Sequence, residues 1–435
     1  MVLNSPARTC PALLISAPAS HQGKTTLTAA LARYHRDKGR EVRVFKTGPD
    51  FLDPFILEQA SGAPVYGLDL WMHGEAECQQ RLYDAAQSAD LILVEGAMGL
   101  FDGTPSSADL AERFGLPVVV VMDGSAMAQT FGALAWGLSQ FRPSLTIAGV
   151  VANRVGSAHH AALLRESLPD GVTDLGYLPR EVEMSLPERH LGLVQAQEID
   201  DLDARIAQAA RHIAATALTA LPAAQRFLPP AESDPIPPRL AGQRIAIARD
   251  RAFSFLYPAN VHCLEAMGAT LVYFSPLADE ALPECDALYL PGGYPELYLP
   301  SLQQAQRSAA SIRAHHQAGK AIYAECGGML YALAAVHQDG QRWPLLGLLE
   351  GEAVMQKTLA GLGLQAMQRP EGELRGHTFH YSRIETTLTP ISTARRATRA
   401  TAGEGLYAQG GLLATYLHAH FPSNPNAAAG LFLRD

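Results

Sequence analysis

Short runs of apolar residues recur along the first half of the chain, separated by longer stretches in which apolar positions have helical spacing. The apolar runs predict strands at 12–16, 41–45, 89–94, 117–122, 146–152 and 173–178. Strands that alternate with helices are typical of βαβ units, in which helices cover a mostly parallel sheet. The first half therefore predicts an α/β domain.

A proline-rich segment at 221–240 interrupts this alternation. It has no periodic apolar face, so it predicts a linker between domains. Apolar runs then resume and predict four further strands, at 244–248, 270–274, 287–290 and 320–324. The pattern predicts two α/β domains, residues 1–220 and 241–435, joined by the linker.

Composition and charge narrow the classes of partner. The 435 residues carry a net charge of −9 with no basic run, which argues against nucleic acid or an anionic membrane surface as a partner. None of the five cysteines forms a C-x-x-C pair, so a disulfide framework or zinc knuckle is not expected. No apolar run reaches the length of a membrane span. A reducing cytoplasm fits best, and the oligomeric state is open, with a homodimer as one option.

A glycine-lysine-threonine motif follows the first predicted strand and opens a helix. In such a loop backbone N–H groups cradle phosphates, the lysine reaches the outer phosphates and the following hydroxyl holds Mg²⁺. Here Gly23, Lys24, Thr25 and Thr26 are the candidate nucleotide-binding residues. Pro18 stands where the strict pattern has glycine, so the sequence predicts a variant P-loop. A chance Gly-Lys-Thr at a helix start is the alternative.

Acidic residues follow the second and third predicted strands, at the sheet edge where open parallel sheets bind ligands. Asp50 and Glu95 are candidates to hold Mg²⁺ together with Thr25. Asp53 and Asp102 lie close to them in sequence, with ordinary helix caps or turn residues as the alternative.

An asparagine ends the fifth predicted strand of this domain. Asn153 is placed there to hydrogen-bond an adenine edge, and a plain loop asparagine is an equally good interpretation. The sequence alone does not separate the two.

A cysteine between a predicted strand and a pair of glycines dominates the second domain. Cys326 follows the apolar run at 320–324, as a nucleophile on a sharp strand-to-helix turn would. Backbone N–H groups near Gly293 and Gly327 could hold an oxyanion, and His418 could act as the base. The alternative is a buried cysteine that packs as a small hydrophobe.

These residues together make the chain resemble the cobyrinate and hydrogenobyrinate a,c-diamide synthase family of cobalamin biosynthesis. The resemblance covers nearly the whole chain, and five segments carry it: Phe-Lys-Thr-Gly-Pro-Asp-Phe-Leu-Asp-Pro at 45–54, Val-Glu-Gly-Ala-Met-Gly-Leu-Phe-Asp-Gly at 94–103, Pro-Gly-Gly-Tyr-Pro-Glu at 291–296, Arg-Gly-His-Thr-Phe-His-Tyr at 375–381 and Tyr-Leu-His-Ala-His-Phe at 416–421. All five occur in order, which is far more specific than any one of them.

The resemblance implies a dethiobiotin-synthetase-like P-loop domain, a class I glutamine amidotransferase domain, ATP and glutamine as co-substrates, Mg²⁺, and a tetrapyrrole (corrinoid) substrate. It implies amidation of the a and c carboxylates of that substrate through acyl phosphates. It also implies a role for each matching residue: Lys24 and Thr25 for the phosphates, Asp50 and Glu95 for the metal, Asp53 and Asp102 for the acceptor side, Cys326 as nucleophile and His418 as its base.

The chain departs from the family pattern at positions that affect both sites. His21 stands where the family often has glycine, which bears on the backbone of the phosphate loop. Many class I amidotransferases have glutamate two residues after the catalytic histidine, where this chain has His420. The group that orients His418 is therefore unassigned.

Two other interpretations remain. A related tetrapyrrole amidotransferase, such as cobyric acid synthase or a sirohydrochlorin diamide synthase, would have the same architecture. A regulatory NTPase of the chromosome-partitioning type is a different class. That class carries a lysine five residues before the P-loop lysine, where this chain has Ala19, and it does not explain the segment around Cys326.

Overall fold

The computed structural model describes residues 6–189, 192–193, 195–231, 235–399 and 401–434. The chain divides into two compact units, residues 1–232 and 233–435. Each unit has its own hydrophobic core.

Strands and helices alternate in the first unit, as the apolar pattern predicts. Its strands are β1 Arg8–Ser16, β2 Val42–Thr47, β3 Tyr66–Leu68, β4 Leu91–Glu95, β5 Val118–Asp123, β6 Ile147–Val155, β7 Asp174–Pro179, β8 Glu188–Arg189, β9 Gly192–Leu193 and β10 Ala224–Phe227. Its helices are α1 Lys24–Asp37, α2 Asp53–Ser61, α3 Glu75–Ala85, α4 Ser107–Phe114, α5 Thr130–Gln140, α6 Ala158–Glu166 and α7 Leu202–Ile213, with short 3-10 helices at Val182–Met184, Ala196–Glu198 and Ala217–Thr219. All six predicted strands are present, and their ends shift by up to four residues.

The main sheet of the first unit has the order β3-β2-β4-β1-β5-β6-β7. Every neighbouring pair along this order is parallel, which confirms the predicted mostly parallel sheet. Because β2, β4 and β1 are adjacent, their carboxyl ends meet at one edge. That edge carries the loops of both the P-loop motif and the acidic residues.

The central strands of this sheet are apolar on both faces. Leu14, Val94 and Val120 point into one buried cluster, and Ile15 and Leu93 point into the other. This is the pattern of a sheet covered by helices on both sides. It explains why the strands read as continuous apolar runs rather than as alternating ones.

A short strand lies inside the segment predicted as a linker. Ala224–Phe227 forms β10, which pairs antiparallel with Arg8–Pro11 at the start of β1. The predicted linker at 221–240 thus contains a short strand of the first sheet. The first four residues of β1 extend past its pairing with β4, which begins at Ala12, so their backbone groups need this partner.

The second unit combines a parallel half with an antiparallel extension. Its strands are β11 Arg244–Ala248, β12 Thr270–Phe274, β13 Ala287–Leu290, β14 Ala321–Glu325, β15 Leu333–Gln338, β16 Gln341–Pro344, β17 Leu349–Met355, β18 Gly361–Arg369, β19 Gly372–His380, β20 Ser382–Glu385, β21 Ser392–Arg396, β22 Ala402–Gln409, β23 Leu412–Thr415 and β24 His418–Ala419. Its helices are α8 Pro258–Ala266, α9 Leu299–Gln304, α10 Gln306–Gln317, α11 Gly327–Ala332 and α12 Pro425–Ala429, with 3-10 helices at Pro295–Leu297 and Phe421–Ser423.

The large sheet of the second unit runs β12-β11-β13-β14-β23-β22-β21-β18-β19-β24, and a smaller sheet runs β16-β15-β17-β20. Pairing is parallel from β12 to β23 and antiparallel from there to β24. Three of the four predicted strands agree with the observed bounds, and β14 is displaced by one residue. Over the residues that the structure covers, no helix is long and apolar enough to cross a bilayer.

Candidate active sites

The loop between β1 and α1 lies at the carboxyl edge of the first sheet. Gly23 precedes α1 in a left-handed conformation, with φ of 95°. Lys24 is buried, and its Nζ donates hydrogen bonds to the carbonyls of Ala19 at 3.1 Å and Met98 at 2.6 Å. The N-terminus of a helix attracts anions through its unpaired N–H groups. Loop, helix and lysine together have the arrangement of a phosphate-binding loop.

The side chain of Asn153 contacts the backbone of this loop. It is buried, and its Nδ2 donates to the carbonyl of Gln22 at 2.9 Å. A Cβ atom on Gly23 would lie 2.0 Å from the same Nδ2, so no side chain fits there. The structure thus places Asn153 against the loop backbone, and the contact with an adenine edge stays a prediction.

His21 has the backbone conformation that glycine prefers. Its φ is 61°, in the left-handed region, and Arg154 Nη1 donates to its carbonyl at 3.0 Å. A non-glycine residue pays a modest conformational cost in that region. The loop can therefore keep its shape with histidine at the position where the family often has glycine.

A substitution at Gly23 should weaken ATP binding, whereas a substitution at His21 should not. Gly23→Ala should weaken ATP binding on the order of tenfold or more, because the added Cβ meets Asn153 and φ is positive. His21→Gly should leave the ATP affinity within about threefold, since glycine adopts the same φ at lower cost. Calorimetric titration with ATP measures both, and normal affinity in Gly23→Ala would contradict this account of the loop.

A lysine that the sequence analysis did not single out lies among the acidic residues. Lys46, at the end of β2, is buried, and its Nζ lies 2.6 Å from Asp53 Oδ2 and 2.7 Å from Glu95 Oε1. Asp50 Oδ2 lies 3.8 Å from the same nitrogen. The structure thus brings the three predicted carboxylates together around one cation. The signal in the sequence that could have identified Lys46 is its place in the family segment Phe-Lys-Thr-Gly-Pro-Asp at 45–50.

The pKa shifts show how far Lys46 compensates this cluster. Burial raises the pKa of Glu95 to about 7 even though Lys46 lowers it. Burial, followed by the charge of Asp53, raises the pKa of Asp50 to about 7. Burial also acts to raise the pKa of Asp53, but the charge and hydrogen bond of Lys46, together with hydrogen bonds to Asp50 and Glu95, outweigh it and the net pKa is lowered. One lysine therefore compensates three carboxylates only in part, and a further cation would favour their ionised forms.

Asp50, and not Asp53, makes the hydrogen bonds of a helix cap. Asp50 Oδ1 accepts hydrogen bonds from the backbone N–H groups of Leu52 at 2.8 Å and Asp53 at 3.1 Å, which caps the start of α2. Asp53 is the first residue of α2 but turns its carboxylate to Lys46, so the interpretation of Asp53 as a helix cap is wrong. Asp102 accepts from Gly99 N–H at 3.1 Å, as a turn residue does.

The residues at this edge fit a magnesium ion held mainly by its nucleotide. Thr25 and Thr26 lie in the first turn of α1, and Thr25 Oγ1 donates to Glu95 Oε1 at 2.8 Å. Glu95 Oε2 is buried and has no hydrogen-bond partner among the described residues. Those residues contain no preformed group of three or more His, Cys, Asp or Glu side chains that could hold a metal. Mg²⁺ commonly takes only one or two protein carboxylates beside phosphate oxygens and water, so the two observations agree.

In the second unit, Cys326 lies on a sharp turn between β14 and α11. Its φ is 44° and its ψ is −103°, and its N–H donates to the carbonyl of Thr415 at 2.8 Å. A Cβ on Gly328 would lie 2.0 Å from the carbonyl oxygen of Leu290. The turn therefore needs glycine close behind the cysteine, as in a nucleophile elbow.

The two predicted oxyanion glycines are neighbours in space. A Cβ on Gly327 would lie 2.9 Å from the backbone nitrogen of Gly293. A Cβ on Gly293 would in turn lie 2.0 Å from the carbonyl oxygen of Ala252. The loop after β13 and the turn after β14 are thus packed backbone to backbone, with Gly293 beside Gly327.

His418 approaches the same place from β24. A Cβ on Gly292 would lie 2.2 Å from His418 Cε1, so the imidazole ring packs on the glycine loop. Its ring stacks on that of His377, the opposite residue in β19, with centroids 4.9 Å apart. The structure therefore brings His418 to the glycine loop that also packs against the Cys326 turn.

Burial sets the protonation states of the nucleophile and the base. It raises the pKa of the Cys326 thiol well above its usual range. It lowers the pKa of His418 well below its usual range, and the charges of His377 and His380 lower that pKa further. Both shifts favour the uncharged thiol and the uncharged imidazole, so we expect the thiolate to form when the base takes the proton during attack.

Glu325 joins the cysteine strand to the histidine strand. Its buried carboxylate accepts from the backbone N–H of Ala419 at 3.0 Å and from the Tyr289 hydroxyl at 2.7 Å. Burial raises its pKa to about 7. Ala419 follows His418, so Glu325 fixes the position of the base relative to Cys326. The sequence signal was a carboxylate immediately before the nucleophile.

His420 occupies the place where many class I amidotransferases have glutamate. It is buried, its N–H donates to the carbonyl of Arg375 at 2.8 Å, and its ring meets the edge of Tyr257 with centroids 6.2 Å apart. Tyr257 in turn contacts His377 through its hydroxyl at 3.3 Å. His418 is thus set in a cluster of aromatic and imidazole rings.

Removing the link through Glu325 should impair only the use of glutamine. Glu325→Gln keeps one acceptor oxygen but faces either Ala419 N–H or Tyr289 OH with an amide NH₂ group. We expect ammonia release from glutamine to fall about 10- to 100-fold, because the base shifts relative to the thiol. Tyr289→Phe, which removes one donor only, should have a smaller effect. Equal rates in wild type and Glu325→Gln would contradict this role.

Two family models match the two units. Residues 13–194 match the CobQ/CobB/MinD/ParA nucleotide binding domain, and residues 244–426 match the CobB/CobQ-like glutamine amidotransferase domain. A solved crystal structure of a glutamine amidotransferase aligns with 43% of this chain at 17% identity and a TM-score of 0.31.

Relatives match over almost the full length. Hydrogenobyrinate a,c-diamide synthases from Stutzerimonas stutzeri and Pseudomonas aeruginosa are 58% and 57% identical, over 98% and 97% of this chain and 99% and 97% of their own length. Cobyrinate a,c-diamide synthase from Herminiimonas arsenicoxydans is 50% identical over 99% of each chain. With a nucleotide-binding unit, an amidotransferase unit and relatives of this identity, the chain belongs to the hydrogenobyrinate and cobyrinate a,c-diamide synthase family.

Proposed function

We propose that this protein is a ligase that amidates the a and c carboxylates of hydrogenobyrinate or cobyrinate, with ATP as the energy source and glutamine as the nitrogen donor. The observation that carries the proposal is the presence, in one chain, of a phosphate-binding loop and a cysteine elbow with its histidine. One site activates a carboxylate and the other supplies ammonia. The names of the full-length relatives support the corrinoid as substrate.

The first site makes the acceptor reactive. Hydroxide is a poor leaving group, so ammonia does not displace it from a carboxylate. Transfer of the γ-phosphoryl group of ATP to the substrate carboxylate gives an acyl phosphate, from which ammonia then displaces phosphate. Such transfers depend on positioning and on neutralising charge. Lys24 and the N-terminus of α1 would bind the phosphates.

The acidic edge would serve the metal and the acceptor. Thr25, Glu95 and Asp50 would hold Mg²⁺, and Asp53 and Asp102 would line the acceptor side. When bound, Mg²⁺ supplies charge neutralisation at the phosphate oxygens. Lys46 would keep Asp53 and Glu95 in place and would compensate their charge before the nucleotide arrives.

The second site releases ammonia. His418 takes the proton of the Cys326 thiol, whose sulfur attacks the side-chain amide carbon of glutamine. The N–H groups of Gly293 and Gly327 would stabilise the oxyanion, and loss of one such donor typically costs about 3 kcal/mol. His418 then protonates the departing ammonia, and water hydrolyses the thioester to release glutamate.

Product analysis tests the proposal directly. The protein is incubated with ATP, glutamine labelled with ¹⁵N in its amide, and either the metal-free or the cobalt-containing acid. Two labelled amide nitrogens per corrinoid, with glutamate, ADP and phosphate formed in equal amounts, are the expected result. Turnover of sirohydrochlorin or of a corrinoid that already carries the a and c amides would instead identify one of the related tetrapyrrole amidotransferases.

A regulatory NTPase would hydrolyse ATP without any acceptor. The expected result is that ATP consumption depends on the corrinoid acid and on a nitrogen source. Turnover of ATP that is independent of both would contradict the ligase. A cytoplasmic location, and a homodimer as the assembly, stay predictions.

A further inference from the structure

A carboxylate beside the cysteine elbow has no role in the proposed reaction. Glu296 lies in the short 3-10 helix Pro295–Leu297, which follows the glycine loop. The residue is partly exposed, but its Oε2 atom is buried and has no hydrogen-bond partner among the described residues. A buried carboxylate oxygen without a donor is costly unless a ligand supplies one.

The helix that carries Glu296 packs directly on the elbow. A Cβ on Gly327 would lie 2.8 Å from Cδ of Pro295 and 2.8 Å from the carbonyl oxygen of Gly293. Pro295 is the residue before Glu296. Gly327 follows Cys326 in the chain. The short helix that carries Glu296 therefore borders the Cys326 turn, where glutamine must bind.

The electrostatics of the thiol agree with this placement. Burial is the main cause that raises the pKa of Cys326, and Glu296 is the neighbouring charge that raises it most, ahead of Glu325 and Glu404. Burial also raises the pKa of Glu296 to about 7. Among the described residues, no nearby cation contributes to the shift in the pKa of Glu296. The surroundings of the thiol are thus acidic, and they lack a cation at Glu296.

Glutamine carries a cation of suitable kind. Its α-ammonium group has three donors, and hydrogen bonds between ammonium and carboxylate are strong when water is excluded. The buried Oε2 would gain the donor that it lacks, while the partly exposed remainder of Glu296 leaves a way in from solvent.

We infer that Glu296 binds the α-ammonium group of glutamine and so selects glutamine over amides that lack this group. The inference rests on the proposed function, of which it names a further substrate-binding residue. Glu296 would place the side-chain amide between Cys326 and the two oxyanion N–H groups. It would also reject simple primary amides, which would leave the carboxylate unpaired.

The test compares glutamine with glutaramate, which has the same side-chain amide but no α-amino group. Ammonia release from each is measured with wild type, Glu296→Gln and Glu265→Gln, the last being a matched change of an exposed glutamate in α8. Wild type and Glu265→Gln should prefer glutamine in kcat/KM by on the order of 100-fold. In Glu296→Gln, kcat/KM for glutamine should fall to near the glutaramate value, mainly through KM. Glutaramate turnover should change less than about threefold.

The other outcomes are also decisive. An equal fall with both amides would show that Glu296 supports the elbow or the base and does not bind ammonium. Unchanged preference for glutamine would overturn the inference while leaving the proposed function intact. If wild type released no ammonia from glutamine, the proposed function would fail, and the inference with it. Amidation driven by added ammonium, which does not need this site, should be equal in all three proteins and reports on their folding.

Discussion

Cys326→Ala is expected to abolish amidation with glutamine while leaving amidation with added ammonium. The thiol is the only group at the elbow that can form the thioester, and alanine keeps the size needed at this tight turn. The glutamine-dependent rate should fall on the order of 10⁴-fold or more, as for other nucleophile deletions. The candidate phosphate site is built from residues of the other unit, so it should keep its function in this variant.

The measurement is the initial rate of corrinoid amide formation with glutamine and, separately, with ammonium chloride at a pH that provides free ammonia. Cys263→Ala is a matched control, since Cys263 is another buried cysteine of the same unit and lies in α8. It should use both nitrogen sources. If Cys326→Ala also loses the ammonium-dependent rate, the division of labour between the two sites is wrong.

The second large effect is expected at the phosphate loop. Lys24→Ala should stop amidation from either nitrogen source, with a fall on the order of 10³-fold or more, because both depend on the acyl phosphate. Lys24 is buried, and its Nζ already donates hydrogen bonds to the carbonyls of Ala19 and Met98. Its charge is therefore positioned before ATP binds.

Glu95→Gln should have the same pattern as Lys24→Ala. The amide would remove the carboxylate that accepts from Thr25 and Lys46 and would place an NH₂ group among donors. Lys38→Ala, at the exposed end of α1, is the control and should keep wild-type rates. Release of ammonia from glutamine by Cys326 should survive in all three variants. Normal ammonium-driven amidation in Lys24→Ala or Glu95→Gln would rule out the proposed phosphate site.

Features with strong local chemistry could be predicted from the sequence. The P-loop and the elbow both require glycine where the backbone turns sharply. At Gly23 and Gly328 any side chain would clash with a neighbouring atom. Most strands were predictable because buried parallel strands are continuous apolar runs. The shared edge of β1, β2 and β4 then followed from topology, which brings Asp50 and Glu95 together.

Features that depend on partners distant in the chain could not be predicted. Lys46 and Glu325 were visible as residues, but their importance comes from neighbours 49 and 94 positions away. That Asp50 rather than Asp53 caps α2 depends on the conformation of a single turn of chain. The group that orients His418 was likewise open, because rings from β19 and the loop before α8 surround it.

The pairing of β10 with the start of β1 has a consequence for dissecting the molecule. A fragment that ended at residue 220 would lack β10 and leave the backbone groups of Arg8–Pro11 without their antiparallel partner. Such an open strand edge invites pairing with another copy and aggregation. An expressible fragment for studying ATP and corrinoid binding without the amidotransferase should therefore extend beyond Phe227, so that the last strand of the unit closes on its first.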